Sequence, residues 1–395
     1  MRILWIATKS PYPPIDGGRL LMLHTLQALA AMGHQIWLVA PFDPAVADRG
    51  QCVAGLLAAC RPVLVSSRRR GRLAAAVRSV IERLPVSVAL HRAADVRREV
   101  ERLLDTESID VVHVEQIQAF AQCAPALERS LPVVLRAQNV ESDLWRGMAR
   151  TRAPVAALWN LEARRLALWE AAAIRRATRT IALSAHDVGR LSELAGGSSI
   201  IRVAAPFPAV LPRGTADFDG SPALILLANM SWGPNRDGAV WFLRALWPEL
   251  SRLLPGAVLH HCGGRRPPPR AERLRWHGPL TRAEHAFPAG DGIAIVPLRV
   301  ASGVRMRILE AWARGTPVVA TPAAAVGLDA TPGRELAVGE NASELAKAIE
   351  IIHGDPERRA AMVDHARERL RAHHDPEAMA RQLSAVYADA LTASS

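Results

Sequence analysis

Short apolar runs alternate along this chain with longer stretches whose apolar positions recur at helical spacing. Apolar runs without strict in–out alternation suit strands buried on both faces, and such strands joined through helices build a parallel sheet. In the first half the pattern predicts strands over Arg2 to Thr8, Gln35 to Ala40, Ile109 to Val114, Val133 to Ala137 and Thr180 to Leu183. It predicts a helix over Arg19 to Met32 that stops at Gly33, and a long helical stretch with a basic face over Thr151 to Arg179. The second half repeats the scheme, with strands over Ala223 to Ala228, Ala257 to Cys262, Ile293 to Pro297 and Pro317 to Thr321. Its helices are expected over Asp237 to Leu254, the segment after Ser302, Ala342 to His353, Pro356 to His373 and Pro376 to Leu391. Pro206 to Pro222 is rich in Pro, Gly and Asp without a sustained period, and reads as a linker. The expected organisation is an α/β domain over 1–205, a linker over 206–222, a second α/β domain over 223–375 and a terminal segment over 376–395. Two such halves imply a cleft lined by the carboxyl ends of their strands.

The chemistry concentrates after the strand ending at Pro297. Ser302-Gly303 is expected to open a helix whose free N–H groups suit an anion, with Arg305 and Arg307 in the first turn and Glu310 further along. Gly315 fits the helix stop, and Pro317 follows it. Cations are unfavourable at a helix N-terminus unless an anion answers them, so this pattern points to a bound diphosphate. A carboxylate at Glu310 suits a diol such as a ribose, although Arg307 and Glu310 are also spaced to form a surface pair. Gly17-Gly18 lies where the first strand meets its helix, a place where backbone can approach a ligand. In Asn229 to Asp237, Asn235 or Asp237 can cap the following helix, or the loop can set Arg236 near phosphate. Arg136 to Glu141 clusters polar residues at the end of the fourth predicted strand, and there Asn139 or Ser142 can cap the next helix. Asp217-Phe218-Asp219 mimics a metal-holding Asp-x-Asp, but its place in the linker reads as turn chemistry.

Composition narrows the function classes. The 395 residues are half apolar and carry a net charge of +11, nearly all of it arginine, because Lys9 and Lys347 are the only lysines. That skew fits either base composition or attraction to anionic lipid and phosphorylated substrates. No nucleic-acid-binding module or aromatic–basic interleaving is present. No GxGxxG and no P-loop occurs, which argues against a dinucleotide oxidoreductase and an NTPase. The scattered cysteines Cys52, Cys60, Cys123 and Cys262 fit a reduced cytosol, and no apolar run is long enough to span a bilayer. Met1 to Ala7 does not read as a signal peptide, so a cytoplasmic protein is expected. Arg68 to Arg102 offers a basic, partly amphipathic surface suited to peripheral contact with an anionic membrane on the inner face.

Taken together, PPIDGG, QNVESDLW, IALSAHD, WGPNRDGAVWFL and VPLR…SGVRMRILEAWARGTPVVAT resemble the retaining GT-B glycosyltransferases of family 4, in order and over essentially the full chain. The resemblance is strongest to a bacterial subgroup associated with polysaccharide or cell-surface sugar transfer. It implies two Rossmann-like domains, with a nucleotide-sugar donor mainly on the second and an acceptor on the first. The terminal helix is then expected to cross back to the first domain. It further implies hexosyl transfer with retention, with no metal and no cofactor, to a small-molecule, glycan or lipid-linked acceptor. Glu310 matches the glutamate that holds the ribose, Gly303 and Val304 the turn facing the diphosphate, and Gly17 and Gly18 the glycine loop approaching the same phosphates. Arg305 and Arg307 are expected to stabilise the leaving group, with Asn235 and Arg236 near the donor. Gln138 is expected to orient a substrate, and Asn139, Glu141 and Glu115 to face the acceptor. Two positions depart from the family: Ser302 stands where a glutamate touches the donor sugar, and Gln138 stands where histidine is common. These departures keep a non-catalytic sugar-nucleotide-binding protein open, and the architecture also serves nucleotide-sugar epimerases.

Overall fold

A computed structural model of the chain describes every residue except 67–71, 152–154, 265, 281 and 395. Contacts divide it into two units, the first comprising Met1–Pro206, Ser302–Val304 and Pro376–Ser395, the second Phe207–Ala301 and Arg305–Asp375.

The first unit is a parallel sheet of β1 (Arg2–Ile6), β2 (Gln35–Phe42), β3 (Arg61–Ser66), β4 (Val111–Glu115), β5 (Val133–Ala137), β6 (Arg179–Ala182) and β7 (Ile200–Arg202). Their order is β3-β2-β1-β4-β5-β6-β7, with Ile3 registered against both Ile36 and Val111. The order reverses between β1 and β4, so the loops after these strands diverge and leave room for a ligand at their carboxyl ends. Ile3, Trp5 and Leu38 face one core, which includes Leu383 and Tyr387 of the last helix, Pro376–Ser394. Leu4, Ile6 and Val112 face the other, against Val96 and Val100 of the helix Ala94–Thr106. Burial on both faces is why these strands read as continuous apolar runs. β3 escapes that reading because it begins Arg-Pro at the sheet edge, and β7 is too short to show a period. Val133–Ala137 is consequently the fifth strand, not the fourth.

The second unit orders β8 (Ala223–Leu227), β9 (Val258–Cys262), β10 (Leu274–Trp276), β11 (Ile293–Val296), β12 (Val318–Ala320) and β13 (Ala337–Val338) as β10-β9-β8-β11-β12-β13, again all parallel. Its reversal falls between β8 and β11. Residues 207–222, read as a linker, pack within this unit: the Leu211 N–H donates to the Ala313 carbonyl at 2.9 Å, and Ala216 bridges to Pro288. The helix expected from Asp237 starts earlier, at Gly233, and passes through a π-type turn over Phe242–Leu246 into Trp247–Leu253. Pro248 lacks the N–H that a continuous helix would need there, which accounts for the change of pitch.

Candidate active site

In the first unit β1 delivers Thr8 and Lys9 to the carboxyl edge of the sheet. Asp16 then caps the helix Gly17–Ala31 by accepting the Arg19 N–H at 3.0 Å. Gly17 and Gly18 are thus the first residues of that helix rather than the loop before it. Lys9 Nζ lies 2.7 Å and Arg19 Nε 3.2 Å from the Asp16 carboxylate. Burial works to raise that carboxyl, but the two cations overcome it and hold its pKa at about 2. At Gly18 a side chain would bring its Cβ within 2.9 Å of Gln138 Oε1 and 3.4 Å of Lys9 Nζ, so glycine keeps this corner open.

Gln138 belongs to a buried polar chain. Gln116 Nε2 donates to Gln138 Oε1 at 2.7 Å, and Gln138 Nε2 donates to Glu115 Oε1 at 2.8 Å. Thr8 donates its hydroxyl to Gln116 Oε1. Arg136, itself fully buried, forks onto Glu115 through Nε at 3.0 Å and Nη2 at 2.5 Å and donates Nη1 to Thr25 at 2.9 Å. His113 stacks on Trp5 at 3.6 Å and meets Glu115 at 3.3 Å and the Tyr387 hydroxyl at 2.8 Å. Burial pushes the Glu115 carboxyl up, yet Arg136 and the His113 hydrogen bond bring it down to about 2, while burial drives His113 down to about 4. Glu115 is wholly buried with both oxygens engaged, so it supports Gln138 and does not face an acceptor as expected. Gln116 adopts φ 71° and ψ 146°, a backbone region costly for any residue but glycine, and its side chain is fixed at both ends. Neither Gln116 nor Lys9 was singled out from the sequence. The one available signal for Lys9 was its rarity, and a positive φ at glutamine leaves no signal.

Beyond Gln138, Asn139 Nδ2 donates to Glu141 Oε1 at 3.3 Å. The helix Glu141–Arg150 is capped by neither Asn139 nor Ser142. Instead the buried Glu170 carboxylate accepts the N–H groups of Glu141 at 2.7 Å and Ser142 at 3.2 Å. Burial raises Glu170 to about 8, helped by the nearby Glu141, whose own carboxyl burial also raises. Within the same unit the Ser302 hydroxyl accepts the Val140 N–H at 2.7 Å and donates to Asp187 Oδ1 at 3.1 Å. The Gly303 N–H also donates to Asp187, at 3.1 Å. Gly303 has φ 75°, and a Cβ there would sit 2.1 Å from the Gln138 carbonyl oxygen, so both backbone shape and space require glycine. Val304 follows, half-buried.

In the second unit the helix begins at Met306, later than expected, so Ser302 and Gly303 precede it and Arg305 is its N-cap residue. Arg305 is 7% exposed and its carbonyl accepts the Ile308 N–H at 2.8 Å. Arg307 donates Nη1 to Glu310 Oε2, and Arg314 Nη2 lies 3.3 Å from Glu310 Oε1. Glu310 is 2% exposed, so the arginine–glutamate pair open in the sequence is formed and buried at its acidic end. Arg314 also reaches the Pro212 carbonyl at 2.9 Å and stacks over Phe287. The helix closes as expected: the Gly315 N–H returns to Trp312 and the Thr316 N–H to Ala311, a Schellman ending with Gly315 at φ 75°. Asn235, half-buried, and Arg236, exposed, lie inside the first turn of Gly233–Trp241, whose N-cap is Trp232; neither Asn235 nor Asp237 caps it. This helix is pressed onto β11, for a Cβ at Gly238 would stand 2.3 Å from the Pro297 carbonyl oxygen. Among the described residues no group of three or more His, Cys, Asp or Glu is placed to hold a metal ion. No helix among them is long and apolar enough to cross a membrane.

Comparison with known proteins fits this geometry. Residues 15–206 match the family described as Glycosyltransferase Family 4, and residues 237–385 match Glycosyl transferase-like. No curated protein sequence matches significantly. Among solved structures, sucrose-phosphate synthase from Thermosynechococcus elongatus is similar over 100% of both chains, at 16% identity and a TM-score of 0.71. Anabaena HepE in complex with UDP-glucose aligns over 98% of this chain and 100% of its own, at 15% identity and a TM-score of 0.66. The lipopolysaccharide outer core galactosyltransferase WaaB aligns over 98% of this chain and 100% of its own, at 12% identity and a TM-score of 0.55. Two family models in tandem and two parallel α/β units of matching topology lead to one conclusion: the chain is a glycosyltransferase of the family 4 type with the GT-B fold.

Proposed function

We propose that the enzyme moves a sugar from a nucleoside-diphosphate donor to an acceptor hydroxyl, with retention and with neither metal nor cofactor. The observation that carries the donor half is Arg305, a guanidinium buried at the positive end of the helix Met306–Ala313. A helix N-terminus favours an anion, and a diphosphate placed beside this cation would supply one. The departing diphosphate gathers charge as the glycosidic bond breaks. Fixed donors that meet such charge are each worth roughly 2.7–4 kcal/mol in other enzymes. Arg305 has that role, with Arg307 beside it and Arg236 and Asn235 on the neighbouring helix. Glu310 takes the ribose hydroxyls, exchanging part of its contact with Arg307 for them. In the first unit Gln138 orients a substrate by hydrogen bonding and cannot serve as a base. The open corner at Gly17 and Gly18 admits the ligand, with Lys9 as a compact cation. Asn139 and Glu141 face the acceptor. HepE has been solved with UDP and with UDP-glucose, which supports a nucleotide sugar as donor. Retention and metal independence rest on the resemblance.

The enzyme is proposed to work in the cytoplasm, with a small-molecule, glycan or lipid-linked acceptor and peripheral contact with an anionic membrane. Thermal melting with UDP, GDP, ADP and TDP tests the donor site, since a ligand that binds only the folded chain raises the midpoint. At least one should do so, and the matching sugar nucleotide should release its nucleoside diphosphate when acceptor is added. No shift with any nucleotide overturns the donor site. A second reading is favoured by Ser302, whose hydroxyl is engaged by Val140 and Asp187 where the family places a glutamate. A protein that binds nucleotide but never releases it from any donor and acceptor mixture would be a binding protein.

A further inference from the structure

In the first unit, three residues just beyond the ends of parallel strands are joined by one line of hydrogen bonds. Thr8 follows β1, Gln116 follows β4 and Gln138 follows β5, so the line crosses the carboxyl edge of the sheet where its strand order reverses. Charge sets the direction of this line. Glu115 is held ionised, its carboxyl brought down to about 2, and an ionised carboxylate only accepts. The end of the Gln138 amide that meets Glu115 is therefore Nε2, since Oε1 turned that way would set oxygen against a carboxylate. Oε1 then lies at the opposite end and accepts from Gln116 Nε2 at 2.7 Å, which leaves Gln116 Oε1 to accept the Thr8 hydroxyl. What remains to Gln138 is one lone pair on Oε1 and one N–H. The oxygen is the end beside Gly18, where a Cβ would stand 2.9 Å from it, so that wall is bare backbone.

Gln116 holds its place against its own backbone. At φ 71° and ψ 146° it occupies a region ordinarily left to glycine, and such a backbone persists only where the surroundings over-determine it. A glycine would adopt this shape without strain but could not bridge Thr8 and Gln138. We propose that Gln116 is a positioning residue, which fixes Gln138 so that its Oε1 accepts a hydrogen bond from a substrate hydroxyl at the Gly18 corner. The inference rests on the reading of Gln138 as the group that orients a substrate, and adds which atom does so and what holds it. A ligand group that donates is selected, and an ether or a fluorine at the same place is refused, because neither has a proton to give.

Gln116→Glu in the full chain tests this at nearly constant size. Ionised, the new carboxylate still accepts from Thr8 but cannot donate, so it repels Gln138 Oε1; protonated, it donates as the glutamine does. Crystal structures of the variant should show the Gln138 side chain displaced at about pH 8 and returned to its wild-type place at about pH 5, where a buried carboxyl is protonated. Wild-type placement of Gln138 at both pH values overturns the proposal, whatever the enzyme binds. Function is read with UDP-glucose, GDP-mannose, ADP-glucose and TDP-glucose beside their free nucleoside diphosphates. Relative to wild type at each pH, the variant should lose about tenfold or more in kcat/KM at the higher pH and recover at the lower, with nucleoside diphosphate affinity unchanged. A matching loss of sugar-nucleotide affinity places the hydroxyl on the donor, and an unchanged affinity places it on the acceptor. Gln116→Gly, which eases the backbone but removes the bridge, should melt close to wild type and show the loss at both pH values. A lowered melting temperature with wild-type kinetics in that variant, or no recovery with pH in Gln116→Glu, would leave Gln116 a merely structural residue and overturn the proposal. Absence of any nucleotide binding by the wild type would instead fall on the donor site, with the displacement of Gln138 still deciding the role of Gln116.

Discussion

Arg305 caps the helix that carries Glu310, but the two have different tasks, and substitution should separate them. Arg305→Ala should cut turnover by about a hundredfold or more if the guanidinium meets charge that develops as the bond breaks. Turnover within about threefold of wild type, roughly 0.7 kcal/mol, would remove it from that role. Glu310→Gln keeps the volume and one acceptor, and should weaken binding of free nucleoside diphosphate while kcat at saturating donor changes less. Unchanged nucleotide affinity would take the ribose away from Glu310. Lys9 adds a residue that sequence reasoning passed over. It is one of two lysines in a chain with 49 lysine and arginine residues together, and its ammonium fits beside Gly18 and Asp16. A guanidinium is larger and planar, so arginine at this position would not be a conservative change.

At the level of elements, close backbone approaches decide what the helices can carry. The helix bearing Asn235 and Arg236 is pressed onto β11 through Gly238, where a Cβ would meet the Pro297 carbonyl oxygen at 2.3 Å. Gly238→Ala should therefore force helix and strand apart at a cost of about 1–3 kcal/mol, as overpacking does. A lowered melting temperature together with weaker nucleotide binding is the expected result, and wild-type melting would show that the contact yields freely. Much of this architecture was legible: Val133–Ala137 and Pro356–His373 coincide with their expected bounds, because their apolar periods are strong and their ends punctuated. The two-residue β13 and three-residue β10 carry no period to read. Caps went unread where side chains distant in sequence supply them, as Glu170 does for Glu141–Arg150. Within the site, the residues of the glycine turn and of the helix after β11 stood out by their type. Glu115 was expected at an acceptor because its burial against Arg136 depends on strand pairing, which no local pattern shows.

Across the whole molecule, stability should fall on the acid side of neutrality. His113 is held neutral, its pKa lowered from 6.5 to about 4 chiefly by burial, so its contribution is present above pH 6.5 and lost as pH falls through 4. Glu115, lowered from 4.5 to about 2, contributes above pH 4.5 and loses that contribution as pH falls through 2. By the usual conversion the Glu115 shift corresponds to about 3 kcal/mol. Between pH 6.5 and 4.5 Glu170, whose pKa burial raises to about 8, gains stability on binding a proton and opposes the His113 loss, so melting temperature should fall mainly below pH 4.5, following the linkage between protonation and folding. Glu115→Gln should lower the midpoint at neutral pH and flatten the steep part of the curve. A Glu115→Gln curve parallel to wild type would locate the acid sensitivity elsewhere.

The last helix, Pro376–Ser394, has a consequence for the order in which the chain is made. Leu383 and Tyr387 are wholly buried among Ile3, Trp5 and Leu38, residues translated ahead of the whole second unit. A ribosome emitting this polypeptide therefore releases the second unit's residues before it releases the piece that completes the first. Until then part of one face of the first sheet, beside the helix Gly17–Ala31, waits uncovered. The half of the enzyme synthesised first is the half that finishes last, and during that interval it is the natural client of a chaperone.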